Sequence, residues 1–152
     1  AALAARRDPD FIIIARTDAA EAHGLDEAIR RARAFRKAGA DVIFVEMKSG
    51  PAILEDLRRV TSEVDAPCLV NMGAGGRLDE LDPDGIGRLG LRIAIYPGIE
   101  RAAAGFAIRE ALAVLKKDGN PRALRGRMLS LQEYNRALKL DEVEEWEKRY
   151  LR

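Results

Sequence analysis

Four short, continuous apolar runs constrain this chain more than any other feature: Phe11-Ile-Ile-Ile-Ala15, Val42-Ile-Phe-Val45, Cys68-Leu-Val70 and Leu91-Arg-Ile-Ala-Ile-Tyr96. A strand with one wet face alternates apolar and polar residues, whereas a run this short without alternation reads as a strand buried on both faces, as in a parallel sheet. Parallel strands need a crossover between them, and helical spacing fills each gap. Leu25 to Lys37 sets Ala28, Ile29, Ala32 and Phe35 on one side and Arg30, Arg31, Arg33 and Lys37 on the other, with Asp26 and Glu27 at its start and Gly39 as a stop. Ile53 to Val64 repeats the plan with Ile53, Leu54, Leu57 and Val60, and Pro67 opens the next strand. A short helix near Asp84 to Leu89 and a longer one from Ile99 to Lys117 complete a β-α-β-α-β-α-β-α order. The fold class is therefore α/β, built from four βα units. Four units are compatible with an open doubly wound sheet or with half of a barrel that normally takes about 250 residues.

After Asp118-Gly-Asn-Pro121 the pattern changes. Leu129 to Leu138 and Asp141 to Tyr150 read as two charged amphipathic helices with no strand of their own to cover, so residues 1–118 and 119–152 are expected to be distinct parts of the chain. Trp146, Tyr134 and Tyr150 read as packing anchors.

With 47% hydrophobic and 34% charged residues, the 152-residue composition is that of a globular protein. Lys and Arg number 26 against 25 Asp and Glu, interspersed along the helices, which argues against a nucleic-acid or anionic-membrane partner. No apolar run approaches the roughly 20 residues of a membrane span, and Ala1 to Arg7 lacks the apolar centre of a signal peptide. The lone cysteine, Cys68, lies in an apolar run and reads as a buried strand residue, which fits a reducing compartment, with the cytoplasm the expected location.

Chemistry is expected at the C-terminal ends of parallel strands, where loops gather. Each run delivers a polar group there: Arg16-Thr-Asp18 after the first, Glu46 after the second, Asn71 after the third and Tyr96 after the fourth. Arg16 offers a planar fork able to grip a carboxylate or phosphonate through two hydrogen bonds. The plainer reading is that Arg16 and Asp18 simply pair with each other or with a nearby loop. Gly73-Ala-Gly-Gly76 follows a strand, as phosphate-cradling loops do, but lacks the lysine and the full spacing of a nucleotide site. His23, the only histidine, reads as a solvent residue ahead of a helix, with a catalytic role as the alternative.

Phe11-Ile-Ile-Ile-Ala-Arg-Thr-Asp-Ala19, Gly24-Leu-Asp-Glu-Ala-Ile29, Ala38-Gly-Ala-Asp41, Phe44-Val-Glu46, Val70-Asn-Met72 and Ile95-Tyr-Pro97 together resemble the isocitrate lyase and phosphoenolpyruvate mutase superfamily. The similarity is greatest to the branch with 2-methylisocitrate lyase, dimethylmalate lyase and carboxyphosphonoenolpyruvate mutase. It covers Asp8 to the end of the chain, and the Ala-Arg-Thr-Asp-Ala element in strand context is its most specific part.

The resemblance implies the C-terminal half of a (β/α)8 barrel, its fifth to eighth strands, and an Mg2+-dependent enzyme that cleaves a carbon–carbon bond of a 2-hydroxy acid. A phosphonomutase, or a phosphonate- or oxaloacetate-cleaving hydrolase, is the alternative within the superfamily. A non-enzymatic open-sheet binding module is the alternative outside it. By the resemblance Arg16 binds the substrate's acid group and stabilises the enolate, Glu46 is catalytic and lies near the substrate and the metal's water shell, Asn71 holds a substrate carboxylate, and Asp18 supports Arg16. The family's metal-binding aspartates belong to earlier strands, so no direct metal ligand is expected in this chain. The C-terminal helices are expected to exchange between subunits, making a homo-oligomer, a dimer of dimers. The sequence departs from the pattern after Asn71-Met72, where a Thr-Pro pair and a further hydroxyl residue give way to a glycine-rich loop carrying Arg77.

Overall fold

The computed structural model describes residues 1–73 and 76–151. It divides into two compact units, Ala1–Glu100 and Arg101–Arg152.

The first unit is built on four parallel strands, β1 (Ile14–Thr17), β2 (Val42–Val45), β3 (Cys68–Asn71) and β4 (Leu91–Ile95). They lie side by side in chain order, β1-β2-β3-β4. That order distinguishes the two architectures left open above. A doubly wound sheet reverses its strand order at a switch point, whereas successive right-handed crossovers that always step the same way place every helix on one face, as in a barrel wall. Among the described residues β1 and β4 are the sheet's edges, which a barrel removes by closure.

The helices are α1 (Ala2–Ala5), α2 (Ala19–His23), α3 (Leu25–Ala38), α4 (Ile53–Glu63) and α5 (Pro83–Arg88) in this unit. Ala28, Ile29 and Ala32 of α3 and Ile53, Leu57 and Val60 of α4 pack with Ile43, Val45, Cys68 and Val70 in the main core. Val42, Phe44 and Leu69, with Ile93 and Ile95, form a smaller cluster on the opposite face. Strand residues thus alternate between two apolar environments, which is why the sequence shows no polar alternation. Helix α3 ends as its sequence requires: Gly39 adopts φ of 110° and donates to the carbonyls of Arg36 and Phe35. Asp82 caps α5 by accepting from Gly85 N at 2.6 Å, with Pro83 in the first turn.

The first apolar run differs from expectation. It begins at Phe11, but the strand begins at Ile14, where the register with Val42 starts. Ile13 is instead held by Asp41, whose Oδ2 accepts from Ile13 N and from Arg6 Nη1, both at 2.8 Å. The short helices α1 and α2 carried no usable periodicity and appear only in the structure.

The second unit contains most of α6 (Ile99–Asp118), together with α7 (Leu131–Ala137) and α8 (Leu140–Tyr150). Helix α7 starts on a capping box, Ser130 with Glu133, two residues later than the apolar pattern suggested. Phe106, Ile108, Leu112, Tyr134, Trp146 and Tyr150 are all exposed. No helix among the described residues is long and apolar enough to cross a membrane.

The Asp41 contact has a pH signature. The Ile13 amide, and then the Arg6 guanidinium, hold its carboxyl below the ordinary 3.8. A depressed folded-state pKa contributes stability that is present above about 3.8 and lost as pH falls through the lower folded value. Asp41→Asn should therefore lower the urea midpoint at pH 6, and the gap from the parent chain should close as pH drops below 4. A gap unchanged down to pH 2.5 would remove Asp41 from the acid response.

Candidate functional site

Register and pleat bring together most of what the sequence singled out. Arg16 pairs with Phe44 across β1 and β2, and Asn71 pairs with Ile95 across β3 and β4. Because side chains alternate faces along a strand, Arg16, Phe44, Leu69, Asn71, Ile93 and Ile95 share the face opposite the helices. Glu46 continues that alternation one step past β2, where its backbone N–H donates to Thr17 O at 2.9 Å.

Arg16 is held on three sides. Its Nε donates to Asp18 Oδ1 at 2.9 Å, its Cζ lies 5.0 Å from the centre of the Phe44 ring, and its Nη2 is 3.5 Å from Glu46 Oε2. The Asp18 contact alone is a half-exposed pair of little energetic weight. The contact with the Phe44 ring and the approach to Glu46 restrict where the guanidinium can lie, as an anion clamp requires. Its Nη1 donates to no described residue.

Among the described residues, Glu46 carries the one buried side-chain oxygen without a hydrogen-bond partner. Its side chain is 26% exposed as a whole. Yet Oε2 is sealed from solvent and, among the described residues, accepts no hydrogen bond. The 3.5 Å to Arg16 is ion-pair distance without hydrogen-bond geometry. A sealed, charged oxygen without a donor is costly to leave so. Glu46, Phe44 and Asn71 line a cavity of about 10 Å³, room for roughly one water-sized sphere. Asn71 makes no side-chain hydrogen bond to a described residue.

Other candidates do not join the site. Tyr96 follows β4 half-exposed and makes no hydrogen bond to a described residue. His23 is the exposed last residue of α2. Cys68 is buried, and burial pushes its thiol pKa up, as expected of an inert strand residue. In the glycine-rich loop Ala74 and Gly75 lie outside the described residues, while Arg77 donates from Nη1 to Pro51 O at 2.9 Å. No group of three His, Cys, Asp or Glu side chains among the described residues is arranged to hold a metal.

Phe44 was missed as a site residue. Its position two before Glu46 puts it on the Glu46 face by strand alternation, but only the β1–β2 register sets it under Arg16.

A phosphoenolpyruvate phosphomutase family model matches residues 1–115. The chain belongs to that family. It is 35% identical over 150 residues to 2,3-dimethylmalate lyase of Eubacterium barkeri, covering 99% of this chain and 51% of that enzyme. Among solved structures, phosphoenolpyruvate phosphomutase from Streptomyces platensis subsp. rosaceus superposes with a TM-score of 0.84 at 31% identity, covering 99% of this chain and 52% of that one. Phosphonopyruvate hydrolase in complex with oxalate and Mg2+ superposes with a TM-score of 0.83 at 31% identity, covering 99% and 53%. The chain thus spans about half the length of the relatives it matches. Its four βα units are part of a (β/α)8-type barrel, as the strand order already indicated.

Glu46→Gln keeps the shape of the buried group and removes its charge. The substitution should raise the urea midpoint of the chain, by on the order of 1 kcal/mol of stability. A clear loss of stability would mean that Glu46 serves the fold and is not strained for function.

Proposed function

We propose that this chain supplies the substrate-anion side of an Mg2+-dependent lyase that cleaves a carbon–carbon bond of a 2-hydroxy acid, of the 2-methylisocitrate or dimethylmalate type. The observation that carries this reading is the sealed Glu46 Oε2 set 3.5 Å from a stacked arginine at the C-terminal strand ends. Likeness to 2,3-dimethylmalate lyase over nearly the whole chain supports it.

In such a cleavage, negative charge develops on the departing fragment as an enolate. Arg16, held by Phe44 and Asp18, binds the acid group and stabilises that charge without reorganising. Asn71, with its amide unengaged among the described residues, binds a second carboxylate of the substrate. Asp18 holds Arg16 through Nε. Glu46, whose sealed oxygen borders room for about one water-sized sphere, would act on Mg2+ through a water and not as a direct ligand, since Mg2+ usually keeps several of its waters. When bound, Mg2+ supplies Lewis-acid stabilisation of developing oxyanion charge. The remaining carboxylates belong to the other half of the barrel in this reading, so the 152-residue chain alone is a partial, inactive portion of the enzyme.

Likeness to phosphoenolpyruvate phosphomutase and phosphonopyruvate hydrolase favours a second reading, in which the same Arg16 fork grips a phosphonate. Product analysis of the complete enzyme with a 2-hydroxy diacid and with phosphonopyruvate separates the two. The lone buried Cys68 supports a reducing, cytoplasmic setting.

The C-terminal helices complete the proposal. Trp146 and Tyr150 stand four residues apart on α8, 59% and 69% exposed, and large aromatic side chains left in water at helical spacing suit a subunit contact. We place them in an exchanged helical element that builds a dimer and then a dimer of dimers.

Two outcomes follow from these assignments. Arg16→Lys keeps the charge but loses the fork, so kcat/KM of the complete enzyme should fall by about 2 to 4 kcal/mol of transition-state stabilisation, roughly 30- to 1,000-fold. Near-parental turnover would exclude Arg16 as a clamp. Truncation after Asn120 should lower the mass read by light scattering at micromolar concentration, and an unchanged mass would assign the tail to its own subunit.

A further inference from the structure

Glu46 opens the loop from β2 to α4, so its carboxylate is only as well placed as that loop. The root is fixed by Glu46 N donating to Thr17 O. Toward β1, Lys48 pairs with Glu21 of α2. Toward β3 the loop meets the turn Gly76–Leu78 at two points. Arg77 Nη1 donates to Pro51 O at 2.9 Å, a contact spanning 26 residues of sequence. Beside it Gly76, at φ of +73°, lies so close to Ser49 that an added Cβ would be 2.9 Å from Ser49 Oγ. Leu78, which follows Arg77, is among the most deeply buried side chains and anchors the turn in the core.

An exposed arginine ordinarily stays solvated or pairs with a neighbouring acid. Asp79, two residues on, is engaged by Gly73 N at 3.2 Å. Arg77 instead reaches across to a neutral carbonyl on the loop that begins at Glu46, and a charged donor makes that bond stronger than an ordinary amide one.

We propose that Arg77 is a positioning residue, tying the β3–α5 loop to the β2–α4 loop and thereby holding Glu46 in its sealed place. The proposal rests on the reading of Glu46 as part of the reacting site. It assigns a use to the arginine of this glycine-rich loop: Arg77 acts on the neighbouring loop and not on substrate.

The test uses Arg77→Met, which keeps the apolar stem and removes every donor, and Arg77→Lys, which restores one charged donor. In the complete enzyme Arg77→Met should lower kcat about 10- to 100-fold, the scale of a small misplacement of a reacting group. KM should move less than about threefold, because no substrate contact is lost. Arg77→Lys should recover most of the lost kcat. In the 152-residue chain, amide exchange at Met47 to Gly50 should quicken in Arg77→Met and return toward the parent in Arg77→Lys. A raised KM at unchanged kcat would make Arg77 a substrate contact and overturn the proposal, as would parental kcat or unchanged exchange. If the parent enzyme turns over neither a 2-hydroxy diacid nor a phosphonate, the lyase reading fails, and exchange at Met47 to Gly50 alone decides the tether.

Discussion

Parallel pairing of β1 with β2, in the register that sets Arg16 opposite Phe44, governs both the architecture and the site. A slip of one residue would turn Arg16 toward Ala28, Ile29 and the rest of the helix-side core, where a guanidinium has no compensation for lost water. In the observed register the cation instead lies over an aromatic ring, with a carboxylate on either side. The same register places Glu46 N against Thr17 O, so the first two strand ends finish level and their polar groups meet.

Stability and chemistry are separated by face. On the helix side, Ile43, Val45, Cys68 and Val70 meet α3 and α4 in an apolar core with Thr17 as the one buried polar residue among those described. Thr17 is satisfied locally, its Oγ1 accepting from Ala19 N at 3.2 Å. On the other face the apolar cluster is small, and above it sits a carboxylate oxygen with no donor. In the proposed reading, the bound substrate and its water supply the interaction this oxygen lacks. The loops at that end extend the same division: Lys48, Ser49 and Pro51 each touch a neighbouring element, so the segment following Glu46 is braced on both sides.

Element type was legible because each segment carried its own signal. Continuous apolar runs marked the strands, 3.6-residue spacing marked α3 and α4, Gly39 marked a helix end, and Ser130 with Glu133 formed a helix start that apolar spacing alone placed two residues too early. The strand-end placement of Arg16, Glu46 and Asn71 was equally readable, since each stands where an apolar run stops. The contacts of Phe44 and Arg77 were not readable. Phe44 looked like one more core residue of a buried run, and Arg77 stood out only as a departure from the family pattern in a glycine-rich loop; their contacts depend on partners 28 and 26 residues away.

The sequence by itself determined the α/β class, the order of units, the family and the polar residues that close the strands, because all of these are written in local composition and spacing. Only the tertiary structure decided that the sheet steps in one direction, that Arg16 stacks on Phe44 between two carboxylates, and that one oxygen of Glu46 is sealed without a donor. Those outcomes depend on register and crossover direction. Both are set by backbone pairing between segments far apart in the chain, where no short-range pattern of residues carries the information.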